Sequence, residues 1–368
     1  MATKKQENKQ QISLSIVDVE RKYAIDTAEI VGNNGDGVVS WGKENNLPLI
    51  LGTAYEKSPS LAAAINQSCN YVCGDGVEIA EEAATWKEEI NRRHQTMEEL
   101  IAHIALDYYV YGNFAIQIIF NKIGLPVELY PLDITKCRLN GKRDKVLYAK
   151  KGWSKYSSKS DEYPRFGFAD FNPENPTMIL FYNGSGVRRF YNPAPWQSAL
   201  DSVLCEAEAS RYSLGSLTQG FAARYIIDLP DTANLTDEQK QTIEDGIRKK
   251  FCGYDAESNF MIYYSNDESK TLSVSKIEAD DSPEKFEKIM AISKEAILTS
   301  LRISPLLLGI GMANTGFSSN EFSDSFRLYQ KTVAEPTSKM LTKVINTIIG
   351  VPDGVKIKPF EIKFEKLG

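Results

Sequence analysis

Histidine is nearly missing from this 368-residue chain: only His94 and His103 occur. Neither lies beside a glycine-flanked serine or cysteine, so no nucleophile–base triad is in prospect. Cysteine is scarce as well. Cys69, Cys73, Cys137, Cys205 and Cys252 make an odd set without a repeated spacing, which excludes a disulfide framework. Cys69 and Cys73 stand about one helical turn apart, but the two further ligands of a zinc site are not at hand. Reduced cysteines packed as small apolar side chains are the remaining reading. No apolar run approaches the roughly 20 residues of a membrane span, and the polar start Met-Ala-Thr-Lys-Lys-Gln-Glu has no apolar leader core. A protein soluble when made, with no membrane partner, is expected. Nor is there an excess of positive charge: 43 Lys and Arg face 49 Asp and Glu, a net −6. That excludes a broadly basic nucleic-acid face. It leaves open a protein past which DNA must slide, where tight phosphate contacts would act as a brake.

Chemistry-bearing patterns are also thin. Gly311-Met-Ala-Asn-Thr-Gly316-Phe317-Ser318 has the glycine spacing of a phosphate-binding loop. Phenylalanine stands where the lysine must be, however, and no strand leads into it. The other glycine clusters lack a dinucleotide fingerprint. Asp280-Asp281 and Glu81-Glu82 have no third acidic or histidine partner at ligand spacing. Neighbours in an extended segment also point apart, so these carboxylates read as solvated helix-start residues. No metal, no cofactor and no catalysis are expected.

The chain has 42% hydrophobic and 25% charged residues, as a folded domain does. Its length allows one elongated or two compact domains. Residues 1 to about 12 read as disordered and the following stretch to Val39 as a loose β-region or arm. Ser58-Pro59 opens a helix with Leu61, Ile65, Cys69 and Val72 on one face, closed by Gly74. A second helix is predicted over about Glu81–Arg93, and a third begins at the capping box Thr96–Glu99. Strands follow at 114–120, 127–130, 146–148 and 178–182, with an exposed excursion over 153–175. A long helix is predicted over about Pro195–Gln219. After it come strands at 225–229, 260–264 and 272–277 around a helix capped by Thr236–Gln239. Arg248, Lys249 and Lys250 end that helix; cations suit a helix C-terminus, and the alternative is contact with DNA or a motor. Alternation over Val355–Phe364 predicts a final strand.

One stretch stands apart. Ser282-Pro283 caps a charged amphipathic helix, and the charges then vanish until a capping box at Ser318–Glu321 opens another helix, interrupted at Pro336. An apolar, glycine-containing, uncharged loop between two helices is buried within a chain or held against copies of itself. Ile297-Leu-Thr-Ser-Leu-Arg-Ile-Ser-Pro-Leu-Leu-Leu-Gly309, followed by Gly316-Phe-Ser-Ser-Asn-Glu-Phe-Ser-Asp-Ser-Phe326, resembles the phage portal family. Trp41-Gly-Lys-Glu-Asn-Asn-Leu-Pro48 and Tyr111-Gly-Asn-Phe114 with Leu129-Tyr-Pro-Leu-Asp133 are similar to its wing. The resemblance extends from about Trp41 to Phe364.

It implies an α+β portal fold: an arm (1–40), a wing (41–190), a first stem helix (191–222), an α/β clip (223–280) and a second stem helix (281–303). A tunnel loop (304–319), a kinked wing helix (320–349) and a C-terminal strand (350–368) complete it, with the crown reduced or absent. It further implies a non-enzymatic ring of twelve copies at one capsid vertex of the virion, assembled in the host cytoplasm. Double-stranded DNA would be packaged and ejected through it, and the terminase large subunit, major capsid protein and head–tail adaptor would be its partners. Asn314, Thr315, Gly316, Phe317 and Ser318 would then approach the DNA, while Leu306, Leu307 and Leu308 pack between subunits. Arg248, Lys249 and Lys250 would be a clip or motor contact. The competing readings are a monomeric or dimeric nucleic-acid-processing enzyme and a different ring-shaped virion adaptor.

Overall fold

The computed structural model describes residues 30–31, 37–153, 159–184, 190–218, 224–229, 236, 238–243, 245, 260–264, 273–277, 283–310 and 319–362. Among the described residues run helices α1 Leu47–Lys57, α2 Pro59–Cys73, α3 Met97–Tyr111, α4 Leu200–Thr218, α5 Pro283–Ser300, α6 Ser319–Tyr329 and α7 Glu335–Ile349. Two compact units emerge. One comprises residues 1–52, 75–194 and 339–358; the other comprises 53–74, 195–338 and 359–368.

The first unit is built on sheets. Its strands are β1 Ile30–Val31, β2 Val38–Val39, β3 Val77–Ile79, β4 Phe114–Phe120, β5 Pro126–Leu132, β6 Cys137–Leu139, β7 Lys145–Tyr148, β8 Asp161–Pro164 and β9 Thr177–Tyr182, with β13 Val355–Ile357. β4 reads Phe-Ala-Ile-Gln-Ile-Ile-Phe and is buried along most of its length. Such a near-continuous apolar run suits a central strand covered on both faces, and β4 lies antiparallel between β5 and β9. A second antiparallel sheet runs β6-β7-β8, and Arg165 bridges back to Ile179 of β9. Of the final strand expected over Val355–Phe364, Val355–Ile357 pairs antiparallel to β3 and 358–362 do not continue it, while 363 and 364 lie outside the described residues.

Helix α3 starts at the Thr96–Glu99 capping box, both reciprocal bonds being formed, and ends at Gly112 with φ +72°. A Cβ there would lie 2.4 Å from the carbonyl oxygen of Pro193, so a glycine is required by contact and by backbone alike.

Two expectations are corrected in this unit. Residues 81–93 do not form an α-helix. A 3-10 turn spans Glu81–Trp86, broken at Ala83, and burial of Ala83, Trp86 and Ile90 is reached without regular helix. The reason lies just beyond: the Ile90 carbonyl accepts from Leu129 N–H, the Asn91 side chain donates to the Leu129 carbonyl, and His94 turns with φ +57°. The stretch 153–175 is also not a mere excursion. It contains β8, the buried Arg165, and Phe166 stacked near Phe120.

Around Trp41 the interior is closed by one cation. The Arg138 guanidinium, 2% exposed, lies over Trp41 and Trp153, 5.6 and 5.4 Å from the ring centroids. It donates to Asn45 Oδ1 and to the carbonyls of Asn45, Thr135 and Cys137. Tyr191 stacks on Trp41, donates to the Val39 carbonyl and accepts from Leu139 N–H. The irregular 41–46 segment is thereby pinned from both sides.

The second unit is mainly helical. The Ser58 hydroxyl caps α2 by accepting from Leu61 N–H. Leu61, Ala64, Ile65, Ser68, Tyr71 and Val72 are its buried face, while Cys69 sits half-buried beside that face. Helix α4 begins at Leu200 behind a 3-10 turn, Gln197–Ala199, a few residues later than predicted. Helices α4 and α5 pack along each other, and α2 packs on α5. Strands β10 Arg224–Leu229, β11 Phe260–Tyr264 and β12 Ser273–Ile277 form one sheet in the order β11-β10-β12. The β10–β11 pair is parallel and the β10–β12 pair antiparallel. Thr236 and Gln239 exchange the expected capping bonds.

The break expected at Pro336 falls slightly earlier, as a π turn over Gln330–Ala334 between α6 and α7. Proline cannot donate to the carbonyl four residues back, and its ring crowds that carbonyl. A widened turn makes room, with Glu335 N–H donating to the Gln330 carbonyl instead; kinks of this origin are π-bulges.

Candidate channel loop and the helix that holds it

No charged residue lies between Arg302 and Glu321, and both feet of that stretch stand on α2. The first foot begins where α5 ends. Arg302 adopts φ +56° and Ile303 N–H reaches back 3.1 Å to the Leu298 carbonyl, with Leu298 and Ile303 both buried. This is a helix stop of the Schellman kind, with arginine at the position glycine favours. Ser304 then accepts from Leu306 N–H, Pro305–Leu308 makes a 3-10 turn, and Gly309 closes it at φ +73°. Tyr71 of α2 donates to the Leu307 carbonyl at 3.1 Å. Burial raises the Tyr71 phenol above its ordinary pKa, and a bond with Gln67 partly offsets this. It therefore remains a donor throughout the neutral range.

The second foot is α6. Its Tyr329 hydroxyl donates to Ser68 Oγ at 2.7 Å, and Ser68 passes the bond to the Ala64 carbonyl. Tyr71, Phe326 and Phe360 pack edge-on, with centroids 5.2–6.2 Å apart, as aromatic clusters prefer. Beyond the π turn, Ser338 donates to the Val72 carbonyl. Helix α2 is in turn held by α4. Glu206, 4% exposed, accepts from the hydroxyls of Ser58 and Ser60. The Ser58 oxygen thus caps α2 while its proton serves the carboxylate.

Of the residues singled out in the sequence, Asn314, Thr315, Gly316, Phe317 and Ser318 lie outside the described residues, as do Arg248, Lys249 and Lys250. Leu306 and Leu307 are buried within the chain and Leu308 is half-buried. Sequence reasoning missed Ser68, Tyr71, Glu206 and Tyr329. The signal for the first was a serine on the apolar stripe of α2, where an unpaired hydroxyl would be costly. Among the described residues no three His, Cys, Asp or Glu side chains gather into a metal-sized group. No described helix is long and apolar enough to cross a membrane.

The sequence pattern of the family described as "Phage portal protein" matches residues 76–364. The chain belongs to that family. Its α+β architecture is the portal fold, seen also in distant solved structures. A chain in the neck of a native gene transfer agent particle, computed with C12 symmetry, is similar at TM-score 0.57 and 15% identity. That similarity covers 89% of this chain and 86% of that one. A chain in the virion of a native gene transfer agent particle gives TM-score 0.53 at 15% identity, over 85% and 83%. An HK97 family phage portal protein from Corynebacterium diphtheriae gives TM-score 0.50 at 11% identity, over 84% and 94%. Comparison with curated protein sequences gives no match. Portal proteins are virion structural components, and the α2-held loop of this portal chain is the part with the clearest candidate task.

Proposed function

We propose that this portal chain is one subunit of a twelve-membered ring at a capsid vertex, and that residues 304–319 line the passage for double-stranded DNA. The observation that carries the reading is the loop: uncharged from end to end and anchored at both feet on one helix. Each phosphate met by a lysine or arginine releases counterions and tightens the grip in a salt-dependent way. A passage that must let long DNA through in both directions works best without such contacts. In this reading Asn314, Thr315, Gly316, Phe317 and Ser318 approach the duplex. Leu306 and Leu307 pack mainly within the chain, leaving Leu308 for the neighbouring subunit. Head-to-tail copies close into a ring when the rotation per copy divides the circle, and the similar chain in the C12 neck supports twelve.

The finer roles follow from that position. The ring serves packaging and ejection, with energy coming from a terminase large subunit, so the chain needs no phosphate-binding lysine. Arg248, Lys249 and Lys250 are the proposed motor contact, and the major capsid protein and head–tail adaptor the other neighbours. The test is Asn314→Arg in a packaging assay. Packaging that slows or stalls, most at low salt, is the expected result. Unchanged packaging and ejection kinetics with normal ring assembly would refute the channel role.

A further inference from the structure

Arg165 is another buried arginine of the sheet unit, and it is less well answered than Arg138. It is 2% exposed and stands just after β8, where the β6-β7-β8 sheet meets β9. Its backbone N–H donates to the Asp144 carbonyl, and the next one, of Phe166, donates to the Ile179 carbonyl of β9. In the side chain, Nη2 donates to the Phe181 carbonyl and to Asn183 Oδ1. Nη1 reaches the Arg143 carbonyl at a long 3.3 Å, and the buried Nε has no acceptor. Among the described residues no carboxylate bears on this guanidinium. The charge that does is a second guanidinium, that of the half-buried Arg143. Burial first, and then Arg143, pull the Arg165 pKa down to about 10, with Tyr191 a weaker influence the other way.

Like charges held together disfavour each other, and a buried donor left unmade costs free energy. An anion between the two arginines relieves both. The cover over Arg165 is slight. The Phe168 ring lies over the guanidinium, its centroid 3.9 Å from Cζ, and is itself 55% exposed. The turn that carries it has room: Gly167 adopts φ +81°, and a Cβ there would meet nothing within 4 Å. We propose that Arg143 and Arg165 form a binding site for a free divalent oxyanion of the phosphate class, admitted when Phe168 swings aside. Guanidinium groups match the oxygens of such an ion in geometry and charge. A dianion also answers two cations, where a monocarboxylate answers one. The backbone of a DNA duplex is too bulky to pass Phe168 to a side chain this deep, so the ion is a free one. Bound there, it accepts from Nε and fastens the β6-β7-β8 sheet to β9. The site lies wholly within the sheet unit and does not depend on the ring.

The test is calorimetric titration of the chain with inorganic phosphate, beside thermal melts at matched ionic strength. One ion per chain and a saturable rise in melting temperature are expected, and sodium chloride or acetate should give neither. Arg143→Gly is the informative variant. Arg143 adopts φ +67°, which glycine accepts without strain. Without phosphate the variant should therefore melt no lower than the parent. Its affinity for phosphate should fall at least about tenfold, the loss of one charge-assisted bond. Should the glycine variant melt early, Arg143→Asn repeats the measurement with another residue that tolerates this backbone. A parent that binds no phosphate, or an affinity unchanged in these variants, overturns the site. Melting raised as much by acetate or sodium chloride does the same. So does a short DNA duplex that displaces the ion, which would put the two arginines on nucleic acid instead.

Discussion

Arg138 in the sheet unit and Glu206 in the helical unit are both buried charges, and both are answered by neutral partners. The difference lies in what each holds. Arg138 spreads four hydrogen bonds and two aromatic contacts over Trp41, Asn45, Thr135, Cys137 and Trp153, and what it fixes is an irregular segment. Glu206 has two serine hydroxyls from a single helix start, and what it fixes is one preformed helix against another. An irregular segment has every backbone angle to lose on ordering; a helix is already ordered along its length. The planar, multi-donor guanidinium suits the first task and a carboxylate suffices for the second. Burial without a counter-charge pulls Arg138 down to a pKa of about 10, still far above neutrality.

Substitutions can break that comparison. Arg138→Ala should cost most, about 4 kcal/mol in chemical denaturation, because three carbonyls and two indole faces lose their partner at once. A loss under about 1 kcal/mol would mean that the 41–46 segment is held by other contacts. Glu206→Ala should cost about 2 kcal/mol, with the Ser58 cap on Leu61 surviving. The α2 amides should exchange faster while those of β4 do not. A loss as large as that of Arg138→Ala would erase the proposed difference.

Asp107 supplies the third case, a buried carboxylate poorly answered at all. Its Oδ2 has no hydrogen-bond partner. His103 Nε2 is 3.5 Å away, and Asp133 is the other charge facing it. Burial first, and then Asp133, raise its pKa well above 3.8, while burial lowers that of His103. The folded state thus holds the Asp107 proton more tightly than the unfolded chain does. The stability this gives is complete below the usual carboxylate range and is lost as pH rises through the raised value. Asp107→Asn carries no charge and escapes that loss. It should be more stable than the parent by about 1 kcal/mol at about pH 8, with the gap closing towards pH 4. A gap that does not change with pH would contradict the assignment.

What could be read beforehand follows the range of the interaction. Capping boxes at Thr96–Glu99 and Thr236–Gln239, and the Ser58-Pro59 start, are local, and each stands where its spacing put it. The α+β portal fold followed from word order around the uncharged stretch. Residues 81–93 misled because apolar spacing near three and four residues also fits a 3-10 turn followed by a loop. The carbonyl that decides the matter is claimed by Leu129, far along the chain. The π turn was displaced from Pro336 because proline acts on the turn before it. Tyr71, Ser68, Tyr329 and Glu206 were invisible as a set, since nothing in their spacing tells that α2 stands beneath both ends of the loop.

The central claim is that this chain closes into a twelve-fold ring around an uncharged passage. Class averages of the protein, both free at high concentration and in purified particles, test it most directly. The account predicts a hollow ring with twelve-fold symmetry and residues 304–319 nearest the axis. A 41.2 kDa species that stays single in both settings, or a ring with that loop on its outer rim, would contradict it.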